Sequence, residues 1–382
     1  MNLPNDGDPP KLEAAASGLG SGPKKFEDLH RSITMAQIAK AADVSQGAIS
    51  SMLNDRNYGI RVSEKTRAHV FKVCRAMGYI PNDLRALVCM YPELGGYSLL
   101  IASDIAGGLR SPLVTRLAAA ALDALPDPAQ ALCVGRYDPA ADYHAEGAVL
   151  PHSVTTFVYS KFLLVGRPNL SLVEVLTRRG LPVLSLGYDV ALPGVVSVMP
   201  DYGHASRLAL GHLGKLGHRH LGIVSGPFGS MDAKVLDFNH GVRLACEALG
   251  LPLDAQHIIY GDLSEEAGRR ALDEMLARNP QPTAIFCMSD AAAIGLIERA
   301  QAQGIAVPDR LSVIGCGDDP GAQMTQPQLT TVRLPAEEMA EQAIQEVDRL
   351  VNEAPSAPRK TVLAPRLVER QSCVAQKIAQ PQ

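Results

Sequence analysis

The chain has 382 residues, 46% of them hydrophobic, with 36 basic and 40 acidic side chains and a net charge of −4. That length exceeds one small core and suits two or three domains. No apolar run reaches the roughly 18 residues that a membrane-spanning helix needs, and the opening MNLPNDGDPPKL lacks the basic start and apolar stretch of a secretion signal. The seven cysteines (74, 89, 133, 246, 287, 316 and 373) form no CxxC pair. Neither a zinc site nor a disulfide framework is expected, and reduced thiols in a cytoplasm fit this usage.

Residues 1–31, rich in Gly, Pro and Asp, read as a disordered leader. Its GLGSGP stretch follows no strand and opens no helix, so a phosphate loop is not expected. Residues 32–80 read as a helical unit. Thr34 caps a first helix while Gln37 reaches back to it, and Met35, Ile38, Ala39 and Ala42 give that helix one apolar face. Asp43-Val44-Ser45 breaks it, and Ser45 caps a second helix, Gln46–Asn54. There Ile49, Met52 and Leu53 point inward, with Gln46, Gly47, Ser50 and Ser51 on the other side. A third helix starts at Ser63, packs through Val70, Val73, Cys74 and Met77, and stops at Gly78.

Two short helices joined by three residues and braced by a third form the scaffold that lays its second helix in the DNA major groove. Gln46 can hydrogen-bond a purine edge and Ala48 can touch a thymine methyl. The hydroxyls and amides of Thr34, Ser45, Ser50, Asn54, Ser63 and Thr66 suit phosphate oxygens. Each hydroxyl taken singly is explained by helix capping; their order beside a basic surface points to DNA. Residues 33–88 hold eight basic and four acidic side chains, a net +4 that leaves −8 for the rest of the chain. A basic head on an acidic body favours a polyanion partner for the head.

Residues 81–96 read as a linker, 97–373 as the body and 374–382 as a tail. From Tyr97 onward, short apolar runs alternate with helical patterns: YSLLIAS, ALCVG, KFLLVG, PVLSLG, HLGIVSG, HIIYG, AIFCMS and LSVIGCG. That rhythm predicts βαβ units and parallel sheets covered by helices on both faces. The body is longer than one doubly wound sheet requires, so two α/β lobes are expected. No GxSxG, HExxH or Walker pattern occurs, so no enzyme and no cofactor is expected. His218 and His220 lie two apart on divergent sides, which favours helix-end capping over a metal site.

The stretches ITMAQIAKAADVSQGAISSMLN and RVSEKTRAHVFKVCRAMGYIPN resemble the head of the lactose-repressor/galactose-repressor (LacI/GalR) family of bacterial regulators. The marks are Ala39 to Ser45, Ile49-Ser50, Val62-Ser63 with Lys65-Thr66-Arg67, and Gly78-Tyr79 before Pro81-Asn82. In the body, LGKLGHRHLGIVSGP, PTAIFCMSDAAAIGL, GIAVP, LSVIGCGDDP, PQLTTVRLP and PRLVERQS are similar to family segments in the same order. The resemblance implies a DNA-binding set of Thr34, Ser45, Gln46, Gly47, Ala48, Ser50, Ser51, Asn54, Ser63, Lys65, Thr66 and Arg67. It also implies a hinge helix bearing Asn82 and Arg85, whose leucine wedges into the minor groove. Pro81-Asn82-Asp83-Leu84-Arg85-Ala86-Leu87-Val88 departs from the family pattern. Either Leu87 is the wedge after a one-residue shortening or Val88 takes its place, and the relation to Arg85 favours Leu87. DRNYGIR lengthens the loop before the third helix.

For the body, the resemblance implies two doubly wound lobes, periplasmic-binding-protein-like, with three crossovers and a ligand in the cleft. Ligands of open α/β sheets sit beyond the carboxyl ends of the strands. Those ends supply Asp104, Arg110, Arg136, Asp138, Arg167, Tyr188, Asp189, Ser230, Asp232, Asp262, Ser289, Asp290 and Asp318. Three family anchors are replaced. Phe238 stands where relatives carry the arginine of Arg-x-x-Gly, Gly317 stands at an aspartate position, and so does Gly187. Either a sugar or another ligand class binds, with Phe238 as a stacking surface, or the cleft is unliganded. The expectation is a homodimeric, sequence-specific DNA-binding regulator, a repressor, on a pseudo-palindromic operator under a small-molecule effector. The alternatives are a ligand-binding protein or a constitutive regulator.

Overall fold

The structure is a computed structural model; it describes residues 33–53, 62–77, 79, 95–105, 107–127, 130–156, 158–352 and 357–376. Asn54, the DRNYGIR loop, Asn82, Arg85, Leu87 and Val88 lie outside these residues, as does the leader. The head contains α1 (Met35–Ala42), α2 (Gln46–Leu53) and α3 (Glu64–Met77). Asp43 ends α1 in the left-handed region at φ 54°, its N–H and that of Val44 both returning to the Ala39 carbonyl. This αL cap turns the chain sharply into α2. Ile38, Ala39, Ala42, Ala48, Ile49, Met52, Val70, Phe71, Val73, Cys74 and Tyr79 close one core between the three helices.

The body begins with β1 (Gly96–Ala102), α4 (Pro112–Asp123), β2 (Leu132–Tyr137), α5 (His152–Thr155) and β3 (Tyr159–Val165). It continues through α6 (Leu170–Arg178), β4 (Val183–Leu186), β5 (Val195–Pro200), α7 (Tyr202–Lys215), β6 (Leu221–Ser225) and α8 (Ala233–Leu249). Then come β7 (Ile258–Tyr260), α9 (Glu265–Leu276), β8 (Ala284–Cys287), α10 (Asp290–Ala302) and β9 (Ser312–Gly317). The chain closes with β10 (Thr330–Arg333), α11 (Ala336–Asn352), β11 (Arg359–Leu363) and β12 (Arg366–Val368).

Two six-stranded sheets result, ordered β2-β1-β3-β4-β5-β11 and β7-β6-β8-β9-β10-β12. Every recorded pairing is parallel except β10 with β12. Adjacent residues of a strand serve opposite faces. Leu99 and Ile101 of β1 pack with α4 and α11, while Leu100 and Ala102 join the core under α5 and α6. In the second sheet, Ala284 and Phe286 face α7 and α8, and Ile285 and Cys287 face α9 and α10. Burial on both faces is what makes these strands continuous apolar runs.

The chain crosses between the lobes three times: after β5 into α7, after β10 into α11, and between β11 and β12. The two-lobed α/β architecture and the helical head agree with the sequence expectation, and eight strands fall on the eight apolar runs. Glycine sets one close approach. A side chain at Gly241 of α8 would overlap the backbone of Gly203 in α7, so the two helices meet backbone to backbone there.

Candidate nucleic-acid interface and interlobe cleft

In the head, Thr34 Oγ1 accepts from the Gln37 N–H at 3.3 Å and Gln37 Oε1 accepts from the Thr34 N–H at 2.8 Å. This reciprocal cap satisfies donors that the helix itself cannot. Ser45 Oγ accepts from the Ala48 N–H at 3.1 Å, and Ser63 Oγ from the Thr66 N–H at 3.1 Å. The capping and DNA roles of these hydroxyls are compatible, because Thr34, Ser45 and Ser63 all remain exposed.

The start of α2 presents Ser45, Gln46 and Gly47 to solvent, with Ser50 and Ser51 half-buried beside them. Lys40, Lys65, Arg67 and Lys72 are exposed, against one exposed acid, Asp43, among the described side chains of the head. Thr66 is half-buried. Ala48 departs from expectation. It is 8% exposed and belongs to the head core, so its methyl is not offered to a thymine. The reason is helical geometry: Ala48 follows Gly47 toward the face that Ile49 and Met52 bury.

In the body, several of the expected residues lie beyond the carboxyl ends of β1, β3, β4 and β6. Arg167 pairs with Asp104 at 3.1 Å, both substantially exposed, and Lys360 pairs with Asp189 at 2.8 Å. Arg110 is exposed on the short turn after β1. Tyr188 Oη donates to Asp232 Oδ2 at 2.8 Å, joining the first lobe to the second. Burial, with the Asp232 charge beside it, pushes the Tyr188 phenol well above its ordinary value. Ser230 Oγ accepts from the Asp232 N–H, and Asp232 caps α8 through the Lys234 N–H.

Three expected ligand residues are spent inside the second lobe. Ser289 caps α10 through the Ala292 N–H and donates to the Leu263 carbonyl. Asp290 has no exposed surface; it accepts from Thr331 Oγ1 at 2.5 Å and from the Asp319 N–H at 2.7 Å. Asp318 is held by Arg333 at 3.0 Å and Arg370 at 2.5 Å. Although burial opposes its charge, these two guanidinium groups hold its carboxyl below the ordinary value. Asp290 is therefore closed to a ligand in this conformation, and both carboxylate oxygens of Asp318 are already engaged by guanidinium groups.

Phe238 corrects a further expectation. Its ring is 1% exposed and lies 5.2 Å from the Tyr202 ring in the core between α7 and α8. It is a packing side chain here and not a stacking surface, because the tight α7–α8 contact at Gly203 and Gly241 draws residue 238 inward. His218, considered for metal, is buried, with Nδ1 3.0 Å from Thr283 Oγ1 and Nε2 3.0 Å from the Val374 carbonyl.

The sequence reading missed Arg116. It reaches from α4 to Glu337 at 2.7 and 2.9 Å, to the Gly317 carbonyl at 3.0 Å and to the Leu334 carbonyl at 2.9 Å. It thus ties the first lobe to the second lobe and to the crossover. A cavity of about 420 Å³ lies beside it, lined by Arg116, Asp318, Arg333, Glu337, Gln323 and Met324. The arginines there are paired with the two acids.

Residues 34–82 match the model of bacterial regulatory proteins of the lacI family, and residues 210–373 match a periplasmic binding protein-like domain. The HTH-type transcriptional regulator DegA of Bacillus subtilis (strain 168) is 30% identical over 343 residues, 89% of this chain and 97% of its own. The chain belongs to the LacI family. Within that family, the HTH-type transcriptional repressor CytR of Escherichia coli (strain K12) is 28% identical over 81% of this chain and 87% of its own. A solved complex of the transcriptional regulator CelR with cellobiose shares the fold, with a TM-score of 0.61 and 24% identity over 89% of this chain and 99% of that one. The reading of this LacI-family chain as a transcriptional regulator and not an enzyme stands with these relatives. Among the described residues no helix is long and apolar enough to cross a membrane.

Proposed function

We propose that this LacI-family chain is a cytoplasmic repressor that binds a pseudo-palindromic operator as a homodimer. In this reading α2 of each head enters the major groove at one half-site. The observation that carries it is the solvent-exposed start of α2, Ser45 to Gly47, set on a packed three-helix core whose surface also exposes Lys40, Lys65 and Arg67. Gln46 reads a base edge. Thr34, Ser45, Ser63, Lys65, Thr66 and Arg67 set register on phosphates, which carry affinity without sequence information. Residues 81–96, with Asn82, Arg85 and Leu87, act as the hinge between head and body.

A small polar effector enters between the lobes, where Asp104, Arg110, Arg167, Asp189, Ser230 and Asp232 line the strand ends. Effector binding shifts the population of DNA-competent dimers by favouring one degree of lobe closure. The cellobiose bound by CelR supports a sugar as the default class. A second reading, a constitutive regulator, is favoured by the buried Phe238 at the position of the family arginine.

The deciding experiment selects bound duplexes from a random pool at low salt, with and without cellobiose and a panel of other small metabolites. Enrichment of a two-fold symmetric sequence that one metabolite alters supports the effector-controlled repressor. Enrichment that no metabolite alters supports the constitutive reading, and failure to retain any duplex at low salt defeats both.

A further inference from the structure

Two tyrosine hydroxyls tie the loop after β4 to the opposite lobe, one reaching out from the loop and one reaching in from the start of α7. Tyr188 Oη donates to Asp232 Oδ2 at 2.8 Å, and Tyr202 Oη donates to the Gly187 carbonyl at 3.3 Å. Neither partner of the first bond is free to swing. Ser185 Oγ donates to the Tyr188 carbonyl at 2.9 Å. Asp232 is fixed by its N–H to Ser230 Oγ at 3.1 Å and by its Oδ1, which accepts from the Lys234 N–H at 2.9 Å. Tyr202 is stiffened in turn by the Phe238 ring. The positions where the family resemblance places polar anchors, Gly187 and Phe238, are thus joined through Tyr202.

We infer that the Tyr188–Asp232 bond is a built-in latch, which holds the two lobes together across the cleft. Its phenol occupies the Asp232 carboxylate from across the cleft, the place that a ligand hydroxyl would otherwise take. An effector therefore gains Asp232 only by displacing the phenol with a hydrogen-bond donor of its own, which selects hydroxyl- or ammonium-bearing molecules over pure acceptors. Hydrogen bonds to an ionised carboxylate are among the stronger ones, and a partly buried site keeps water from competing for this one. The meaning of the latch for regulation rests on the effector-cleft reading given above; its existence does not.

The test uses the full chain without DNA or added metabolite. Tyr188→Phe keeps the ring and removes the donor, and Asp232→Asn keeps an acceptor for the α8 cap while removing the charge. Loss of one charge-assisted bond shifts the open–closed equilibrium by about tenfold. Small-angle scattering is expected to give a larger radius of gyration for Tyr188→Phe, with amide exchange about tenfold faster in residues 186–190 and 230–236. Asp232→Asn is expected to move both readouts the same way by less. Unchanged scattering in both variants overturns the latch, and so does faster local exchange without any change in scattering. Because neither readout involves DNA, failure to bind an operator counts against the regulator reading and not against the latch.

Discussion

The carboxylate of Asp290 rests against the bare Cα of Gly315, on the neighbouring strand β9. Any side chain at 315 would overlap Oδ1, and one at Gly317 would stand 3.3 Å from Oδ2. Asp290 starts α10, yet it reaches Thr331 of β10 and the Asp319 N–H, so one carboxylate joins the ends of three strands. Gly315→Ala is expected to cost about 2–3 kcal/mol, as overpacking in a closed site does. Urea denaturation of the variant checks this; an unchanged midpoint contradicts it.

The same burial makes Asp290 sensitive to pH. It pushes the carboxyl up to about 7, although Thr331 and the Asp319 N–H favour the charged form. An unfolded aspartate titrates near 3.9. The folded state therefore holds this proton more tightly, and the stability it contributes is full below pH 4 and lost as pH rises toward 7. Asp290→Asn is expected to remove that decline, so wild type loses roughly 3 kcal/mol relative to the variant between pH 4 and 7. Parallel unfolding curves across this window would refute the assignment.

Arg116 and Glu337 give the opposite slope. The Arg116 hydrogen bonds hold the Glu337 carboxyl down at about 2 against an ordinary 4.5. Its contribution is present above pH 4.5 and lost as pH falls toward 2. Glu337 is 36% exposed, so solvent screening reduces the contribution to about 1 kcal/mol. Arg116→Gln is expected to flatten the acid limb of the stability curve, measured by thermal unfolding between pH 5 and 3. An acid limb identical to wild type counts against the brace.

In the head, Gln46→Ala removes a side chain that is exposed and unpacked. Base preference at one operator position is expected to relax by about 1–3 kcal/mol while non-specific affinity stays nearly constant. Competition binding against operator and scrambled duplex measures both. An equal loss on all sequences would place Gln46 among the phosphate contacts instead.

Much of this fold was legible because its period was legible. Strands buried on both faces must be apolar throughout, so Leu99 to Ala102 and Ala284 to Cys287 stand out in the sequence as uninterrupted runs. The strands that escaped are of another kind. β5 follows β4 without an intervening helix, which breaks the alternation, while β10 (TTVR) and β11 (RKTVL) carry polar residues. The head was read well because caps are local: Thr34 with Gln37, and Ser45 with Ala48, are separated by three residues. Ala48 was misplaced because a small residue beside a glycine gives no pattern to say which side it takes. Arg116 was missed because its partners lie more than 200 positions away.

The sequence by itself determined the parts that short range controls: three capped helices with an exposed polar edge, and a rhythm of apolar runs that can only become covered parallel sheets. Tertiary structure alone decided which cleft residues remain free to meet a ligand. Asp290, Asp318 and Phe238 all sit in segments that look like cleft lining, yet β10 and Tyr202 enclose the first and last, and Arg333 and Arg370 engage both oxygens of Asp318. Those contacts join residues far apart in the chain, and no periodicity encodes which distant side chain will arrive to satisfy a buried charge or cover a ring.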